Sequence, residues 1–408
     1  MAEGRPNEEA ERVLAAIRQA VVQEAPLEVV GAGTKRGLGR PVDSADRLDL
    51  SGLTGIDLYE PEELVLRAGA GTPLAEIEAA AAENRQHLAF EPPDFGPLYG
   101  GEAGRQTIGG VIACNLAGPR RIQAGAARDH FLGVEAVSGR GEAFKAGGRV
   151  VKNVTGYDLC KLLAGSHGTL AAMTRITVKI LPAPGKIRTV MVLGLDDEAA
   201  GAAMRAAMGS PYEVSGAAHL PAAIAAENPV DMVRDADGAA TLVRVEGPGP
   251  SVEARAASLH ALLSEHGRTE ELHSSRSGAL WRHLRDAAPF AAETGRPLWR
   301  VSVPPTAGAA LAARIAASGP VRHCFDWAGG LVWLELPDES DRARATLVRA
   351  AAADAGGHAL LLRGSVELRA ELPVFQPPSP GRAALTARIK DAFDPRGILN
   401  PGRMYPEG

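Results

Sequence analysis

The sequence predicts an α+β protein of two domains, and three observations lead there. The first half runs strand, glycine-rich loop, strand, helix, the order of a small α+β unit. Near residue 188 the pattern changes to alternating strands and helices, with connections short enough for an antiparallel sheet backed by helices. Between the halves stands "LPAPGK" (181–186), a proline- and glycine-rich linker. A length of 408 residues suits this division.

Residues 7–24 form the first helix, with Val13, Leu14, Ile17 and Val21 on one face and Asn7 as its cap. Leu27, Val29 and Val30 make a short strand that enters "GAGTKRGLGR". A second strand spans 63–71, with Leu64 and Leu66 alternating against polar neighbours. Thr72 caps a helix reaching Glu83, with Pro73 in its first position. Residues 86–106 are rich in Pro and Gly and read as an extended loop. "TIGGVIACNLAG" (107–118) follows, then a basic patch, then a hairpin over 131–148. The stretch 151–180 contains a tight GYDL turn, a GSHGTL loop and a strand whose Ile176, Val178 and Ile180 share a face. In the second half, strands fall at 188–195, 240–246, 298–303 and 331–336, and helices near 197–208, 251–266, 307–317 and 341–354. All four tryptophans lie there. An amphipathic helix carrying Leu385, Ile389 and Phe393 closes the chain with a turn-rich tail.

Composition excludes several functions. A net charge of −5 and 4% aromatic residues provide neither the basic footprint nor the stacking platforms of a nucleic-acid binder. The N-terminus lacks the basic-then-apolar pattern of a signal peptide, and no apolar run approaches a membrane span. Cys114, Cys160 and Cys324 are scattered, and three thiols cannot build a four-cysteine iron–sulfur cage. A reducing, cytoplasmic compartment follows.

Three glycine-rich loops stand beside strands within the first half. "GAGTKRG" has the spacing G-x-G-x-x-x-G, one residue too long for a dinucleotide-binding fingerprint, and Pro41 stands where a helix should follow. Successive glycine amides can still form an anion-binding nest, to which Thr34 adds a hydroxyl. In "TIGGVIACNLAG" the small residues are either chosen for packing or leave bare backbone for a phosphate or ribityl chain. Gly165, Ser166, Gly168 and Thr169 make the third loop. Together they suit a long ligand with a diphosphate centre.

The order "VVGAGTKRGLG", "TIGGVIACNLAG", "VVKNVTGYDLCKLLAGSHGTLAAMTRITVKILP" and "FDPRGILNPGRM" resembles the FAD-linked oxidases of the vanillyl-alcohol oxidase and cresol methylhydroxylase (PCMH) type, and among them the E subunits of bacterial glycolate oxidases. The resemblance implies a two-part FAD-binding domain over 1–184, an antiparallel-sheet-plus-helices cap over 185–380, and a C-terminal segment, 381–408, that returns to the flavin. It assigns pyrophosphate and ribityl contacts to Gly31, Ala32, Gly33, Thr34, Lys35, Arg36 and Gly37, and to Thr107, Gly109, Gly110, Asn115, Ala117 and Gly118. It places Gly165, Gly168, Thr169 and Ile176 at the isoalloxazine and adenosine parts, with Asn400 returning from the tail. Some relatives tether the flavin through a histidine in the first loop. Here Thr34, Lys35 and Arg36 occupy it and Cys114 reads as a small buried residue, so non-covalent FAD is expected.

Relatives that oxidise 2-hydroxy acids carry clustered, metal-binding histidines in the cap. The ten histidines here form no such cluster in the sequence; the candidate region has only His323, so no metal site is assigned. His167 reads as a lone polar loop residue. Hydride transfer from a 2-hydroxy acid needs a base and a cation for the carboxylate. Arg300 and Arg322 are the candidate cations, and no base emerges. The resemblance implies an FAD-binding subunit that takes part in oxidising glycolate to glyoxylate. Its partners would be a second flavoprotein subunit, where 2-hydroxy-acid oxidation occurs, and an iron–sulfur subunit, with peripheral attachment to the inner membrane through them. The alternatives are a self-sufficient D-2-hydroxy-acid (D-lactate) dehydrogenase and a non-enzymatic scaffold of the complex.

Overall fold

Val13, Ile17 and Ala20 recur at helical spacing along Glu8–Gln23, and that face is buried with Leu48, Leu53, Val137, Ala172, Ile398 and Leu399. The first helix thus joins a core built from both ends of the chain. The computed structural model describes residues 8–42, 44, 46–148, 156–236, 238–338, 340 and 342–406. The proposed Asn7 cap and residues 151–155 of the GYDL region lie outside them. Two units emerge, one of residues 1–117, 125–182 and 369–408, the other of residues 118–124 and 183–368.

In the first unit, Leu27–Val30 pairs in parallel with Asp46–Asp49. An antiparallel five-stranded sheet has the order Ile56–Glu60, Val65–Gly69, Ala171–Lys179, Phe131–Ser138, Ala143–Gly147. Its central strand is buried almost throughout, with Ile176, Val178 and Ile180 sealed in the core. The 131–148 segment is the expected hairpin. The tail of the chain returns here: Leu27 donates its N–H to the Ile398 carbonyl at 2.8 Å, and Asn400 donates to Leu27 at 3.0 Å.

Three local expectations in this unit are corrected. Leu64 belongs to the turn before the strand, at φ +58°, with its N–H bonded to Pro61. Thr72 does not cap the next helix: its hydroxyl donates to the Gly55 carbonyl, and Pro73 takes the cap position of Leu74–Glu83. The segments read as loop and linker pair with each other, Gln86–His87 against Leu181–Pro182.

The second unit is an antiparallel eight-stranded sheet with helices. Its order is Thr269–His273, Lys186–Leu193, Ala240–Gly247, Gly216–Leu220, Arg322–Asp326, Leu331–Glu335, Leu298–Ser302, His358–Arg363. Helices Asp197–Met208, Gly249–Leu263, Gly308–Ala316 and Arg342–Asp354 fall close to their sequence positions. Three strands and the helix Ser274–Arg285 are not evident from the sequence, whereas Arg322–Asp326 and Leu331–Glu335 form the hairpin expected around Gly329-Gly330. The closing helix, Pro380–Phe393, belongs to the first unit and buries none of its residues; Leu385, expected on a core face, is 48% exposed.

The "FDPRGILNPG" tail is organised by one buried carboxylate. Asp394 accepts the N–H groups of Ile398 at 2.9 Å and Leu399 at 2.8 Å, and pairs with Lys390 at 2.7 Å. Replacing it with Ala leaves these donors without their acceptor, so Asp394→Ala should cost about 3 kcal/mol. A urea midpoint equal to that of the unchanged protein would contradict this role.

Candidate functional site

The strand Leu27–Val30 delivers the chain into a loop whose main-chain donors find no acceptor. Among the described residues, none of the N–H groups of Gly31, Ala32, Gly33, Thr34 and Lys35 makes a hydrogen bond. Only after them does the loop bond to itself, Arg36 to Gly33 and Leu38 to Lys35. Gly33 stands at φ +73°, a left-handed turn that lets successive amides converge. The loop borders a crevice of about 750 Å³ counting space open to solvent, with Val29, Leu50, Ala171 and Met173 as apolar lining.

Three cations also line this crevice, Lys35, Arg36 and Arg403. Lys35 is buried, and its ammonium donates only to the neutral oxygens of Gln106 (3.0 Å) and Thr34 (3.4 Å). Burial pushes its pKa down, against a weaker upward pull from Cys114 and Asp94. Arg403 donates to the carbonyls of Lys35 and Arg40. Among the described residues, neither Lys35 nor Arg403 has a carboxylate within salt-bridge reach. Arg36, by contrast, is tied to Glu28 at 2.8 Å. A convergent set of amides with two uncompensated cations suits a diphosphate.

Glycines of the other two loops serve a different purpose. The Gly109 N–H donates to Ala70, and that of Gly110 to the Thr107 hydroxyl, so neither is free for a phosphate. A Cβ on Gly31 would meet the Thr107 hydroxyl at 2.8 Å, and one on Gly109 the Ala70 carbonyl at 2.7 Å. These glycines let backbone pack against protein. In the third loop the amides of Gly165 and His167 bond to Ile112 and Ala113; that of Gly168 has no partner among the described residues. Asn400 fastens this loop to the first strand: its side chain accepts the Val29 N–H and donates to the His167 carbonyl, both at 2.8 Å.

The crevice therefore gathers Gly31, Ala32, Gly33, Thr34, Lys35, Arg36, Thr107, Gly109, Gly110, Gly168 and Asn400. It leaves out seven expected residues. Gly37 packs beneath the Tyr99 ring, and Asn115 accepts the Arg128 N–H. Ala117 is buried, and the Gly118 carbonyl accepts the Trp327 indole N–H. Gly165 abuts Asn115, Thr169 donates its hydroxyl to Ser166, and Ile176 lies inside the sheet opposite Ala68 and Val134. The sequence pattern does not single out Arg403, the residue immediately after "NPG", nor does it place His167 at the site. His167 lines the crevice, at φ +53°, and burial pushes its imidazole down to about 3, so it is neutral. Cys114 also lines it, with burial raising its thiol and keeping it protonated.

The second unit holds both candidate cations. Arg322 is committed to Glu227 (2.6 Å) and Glu335 (3.2 Å), whereas Arg300 lies over the Trp327 ring. The fold also joins two histidines that are distant in sequence. His323 contacts Asp197 at 2.7 Å, and His219 contacts the same carboxylate at 3.4 Å. Burial alone would raise the Asp197 carboxyl, but these imidazoles hold it below the usual carboxylate range. Among the described residues no group of three or more His, Cys, Asp or Glu is placed to hold a metal ion. Nor is any described helix long and apolar enough to cross a membrane.

Gly168 tests the crevice. It stands at φ +72°, and a Cβ there would meet the Asn400 amide nitrogen at 2.7 Å. Gly168→Val should dislodge Asn400 and lower flavin occupancy at least tenfold, because a β-branched residue resists this conformation. Full occupancy, read from the visible spectrum of purified protein, would contradict the placement.

Comparison with known proteins agrees with this chemistry. The family described as "FAD binding domain" matches residues 6–147, and "FAD linked oxidases, C-terminal domain" matches residues 378–404. Glycolate oxidase subunit GlcE of Escherichia coli (strain K12) is 35% identical over 398 residues, covering 97% of both chains. Glycolate oxidase subunit GlcD of Bacillus subtilis (strain 168) is 28% identical over 349 residues, 78% of this chain and 70% of its own. Among solved structures, p-cresol methylhydroxylase with substrate bound superposes with a TM-score of 0.72 at 16% identity, covering 98% of this chain and 87% of its own, which shows the PCMH-type fold. The chain is an FAD-binding flavoprotein and belongs to the family of FAD-linked oxidases that includes the glycolate oxidase E subunit.

Proposed function

We propose that this chain is the FAD-binding subunit of a glycolate oxidase complex and takes part in oxidising glycolate to glyoxylate. The observation that carries the reading is the run of acceptor-free amides from Gly31 to Lys35, backed by the Lys35 and Arg403 charges. These groups would hold the diphosphate of FAD. Main-chain donors fixed by the fold need no rearrangement to do so. Val29, Leu50, Ala171 and Met173 supply apolar surface for the ring systems and keep water from part of the crevice. His167, neutral and left-handed, lines the same crevice, with its imidazole edge-on against Phe375. When bound, the flavin supplies a two-electron acceptor that can also release electrons singly. A protonated thiol at Cys114 is a poor nucleophile, which favours a non-covalent cofactor.

In this reading residues 1–184 and 381–408 hold the flavin, and residues 185–380 form the cap domain. Partners would be a second flavoprotein subunit and an iron–sulfur subunit, through which the complex would sit peripherally at the inner membrane. The high identity to GlcE along the whole chain supports this assignment over a free-standing enzyme. One observation favours a second reading, in which this chain oxidises a 2-hydroxy acid unaided: Arg300 is a cation with no acidic partner in ion-pair reach among the described residues.

Anaerobic addition of glycolate to the purified chain separates the readings. The subunit reading expects yellow protein whose flavin keeps its colour until the partner subunits are added. Bleaching without them would establish the self-sufficient dehydrogenase. Colourless protein after expression with excess FAD would contradict both and leave a scaffold.

A further inference from the structure

The turn joining the strands Arg322–Asp326 and Leu331–Glu335 is held in a strained conformation. Trp327 and Ala328 both stand at left-handed φ, +52° and +57°, followed by Gly329 at +92°. Consecutive non-glycine residues of this kind persist only where surrounding contacts fix them, and they gather at ligand sites. Here the contacts fix an indole. The Trp327 backbone N–H donates to the Asp326 carboxylate at 2.7 Å, and its ring N–H donates to the Gly118 carbonyl at 3.1 Å.

Gly118 belongs to a short segment, residues 118–124, that leaves the first unit to join the second. Arg120 anchors it through a 3.2 Å ion pair with Glu246, both side chains being largely buried. The next residue, Arg121, brings its guanidinium carbon to 5.0 Å from the Trp327 ring centre, while that of Arg300 lies at 4.9 Å. The two charges are therefore within about 10 Å of each other, the screening length of a dilute salt solution.

Neither guanidinium makes a hydrogen bond or ion pair among the described residues. Several other arginines of this unit are matched with acids, Arg322 and Arg363 with Glu335, and Arg188 with Glu271. Asp326 is the acid whose charge reaches Arg300, but one of its oxygens is engaged by the Trp327 N–H. An aromatic face attracts a cation without neutralising it. Burial, with the nearby Arg121 charge, pushes Arg300 down to about 10, so it remains protonated at neutral pH. Two uncompensated cations on one rigidly held ring call for an anion.

We propose that Arg121, Arg300 and Trp327 form an anion subsite of the second unit, which receives the carboxylate of a small organic acid. A guanidinium fork matches the two oxygens of a carboxylate, and the indole gives the acid an apolar wall. That the acid is a 2-hydroxy acid rests on the flavin-oxidase reading; the demand for an anion rests on the two arginines alone.

The test uses the full-length protein with its flavin and 2-hydroxyisobutyrate, which offers a hydroxyl and a carboxylate but has no α-hydrogen to lose. Calorimetry and indole fluorescence should show saturable binding. The uncharged amide of the same acid should not bind. Arg121→Gln, at an exposed position that bears no core packing, and Arg300→Gln should each weaken binding about tenfold or more, and Arg300→Lys should restore part of the loss. Absence of binding to the unchanged protein, equal binding of the amide, or undiminished binding in both glutamine variants would overturn the proposal. Tighter binding of inorganic phosphate than of the acid would overturn the carboxylate assignment. The flavin band recorded in the same samples reports separately on the oxidase reading, since colourless protein that still binds the acid would sink that reading alone.

Discussion

A main-chain N–H withdrawn from water without an acceptor costs about 1–3 kcal/mol, and folded chains rarely keep several in a row. The Gly31–Lys35 loop keeps five, beside a buried ammonium that contacts only neutral oxygens. Half-burial leaves water to satisfy part of this demand in the free protein. A diphosphate satisfies all of it at once, with charge opposite to Lys35 and Arg403. The site thus stores its affinity in donors fixed before the ligand arrives, and the rest of the first unit maintains that geometry.

Maintenance falls to contacts at the two ends of the chain. Asn400 bridges the first strand and the third glycine loop, while Asp394 fixes the turn that aims it. Leu27 and Leu399 lie side by side as a parallel bridge in the core around the first helix. Glycine at 31, 109 and 168 permits this closeness, since a side chain at any of them would strike Thr107, Ala70 or Asn400. The crevice is thus shaped by bare backbone packed closely against neighbouring backbone and short polar side chains.

This distinction explains what the sequence revealed and what it hid. Glycine marks where something must approach the backbone, and the three loops were found for that reason. Whether the approaching group is a ligand or another strand is a tertiary question, and at Gly109 and Gly165 the answer was protein. "FDPRGILNPG" was legible because Asp394, Gly397 and Asn400 each act within a few residues of their neighbours or at one fixed return point. The strand "GAAHL" (216–220) was not, because all five residues are buried and their small side chains show no alternation. Ser274–Arg285 did carry a helical signal, with Ser277, Leu280, Trp281 and Leu284 buried at helical spacing, but its arginines and serines masked it. Contacts such as His219 and His323 on Asp197, or Arg121 and Arg300 on Trp327, join residues far apart in sequence, where no local pattern reaches.

Amide hydrogen exchange, compared with and without FAD, addresses the central claim most directly. Residues 31–35 should exchange much more slowly once FAD is bound, while the amides of Gly109 and Gly110, already bonded to protein, should change little. Unchanged exchange across 31–35, or protection confined to 109–110, would contradict the account.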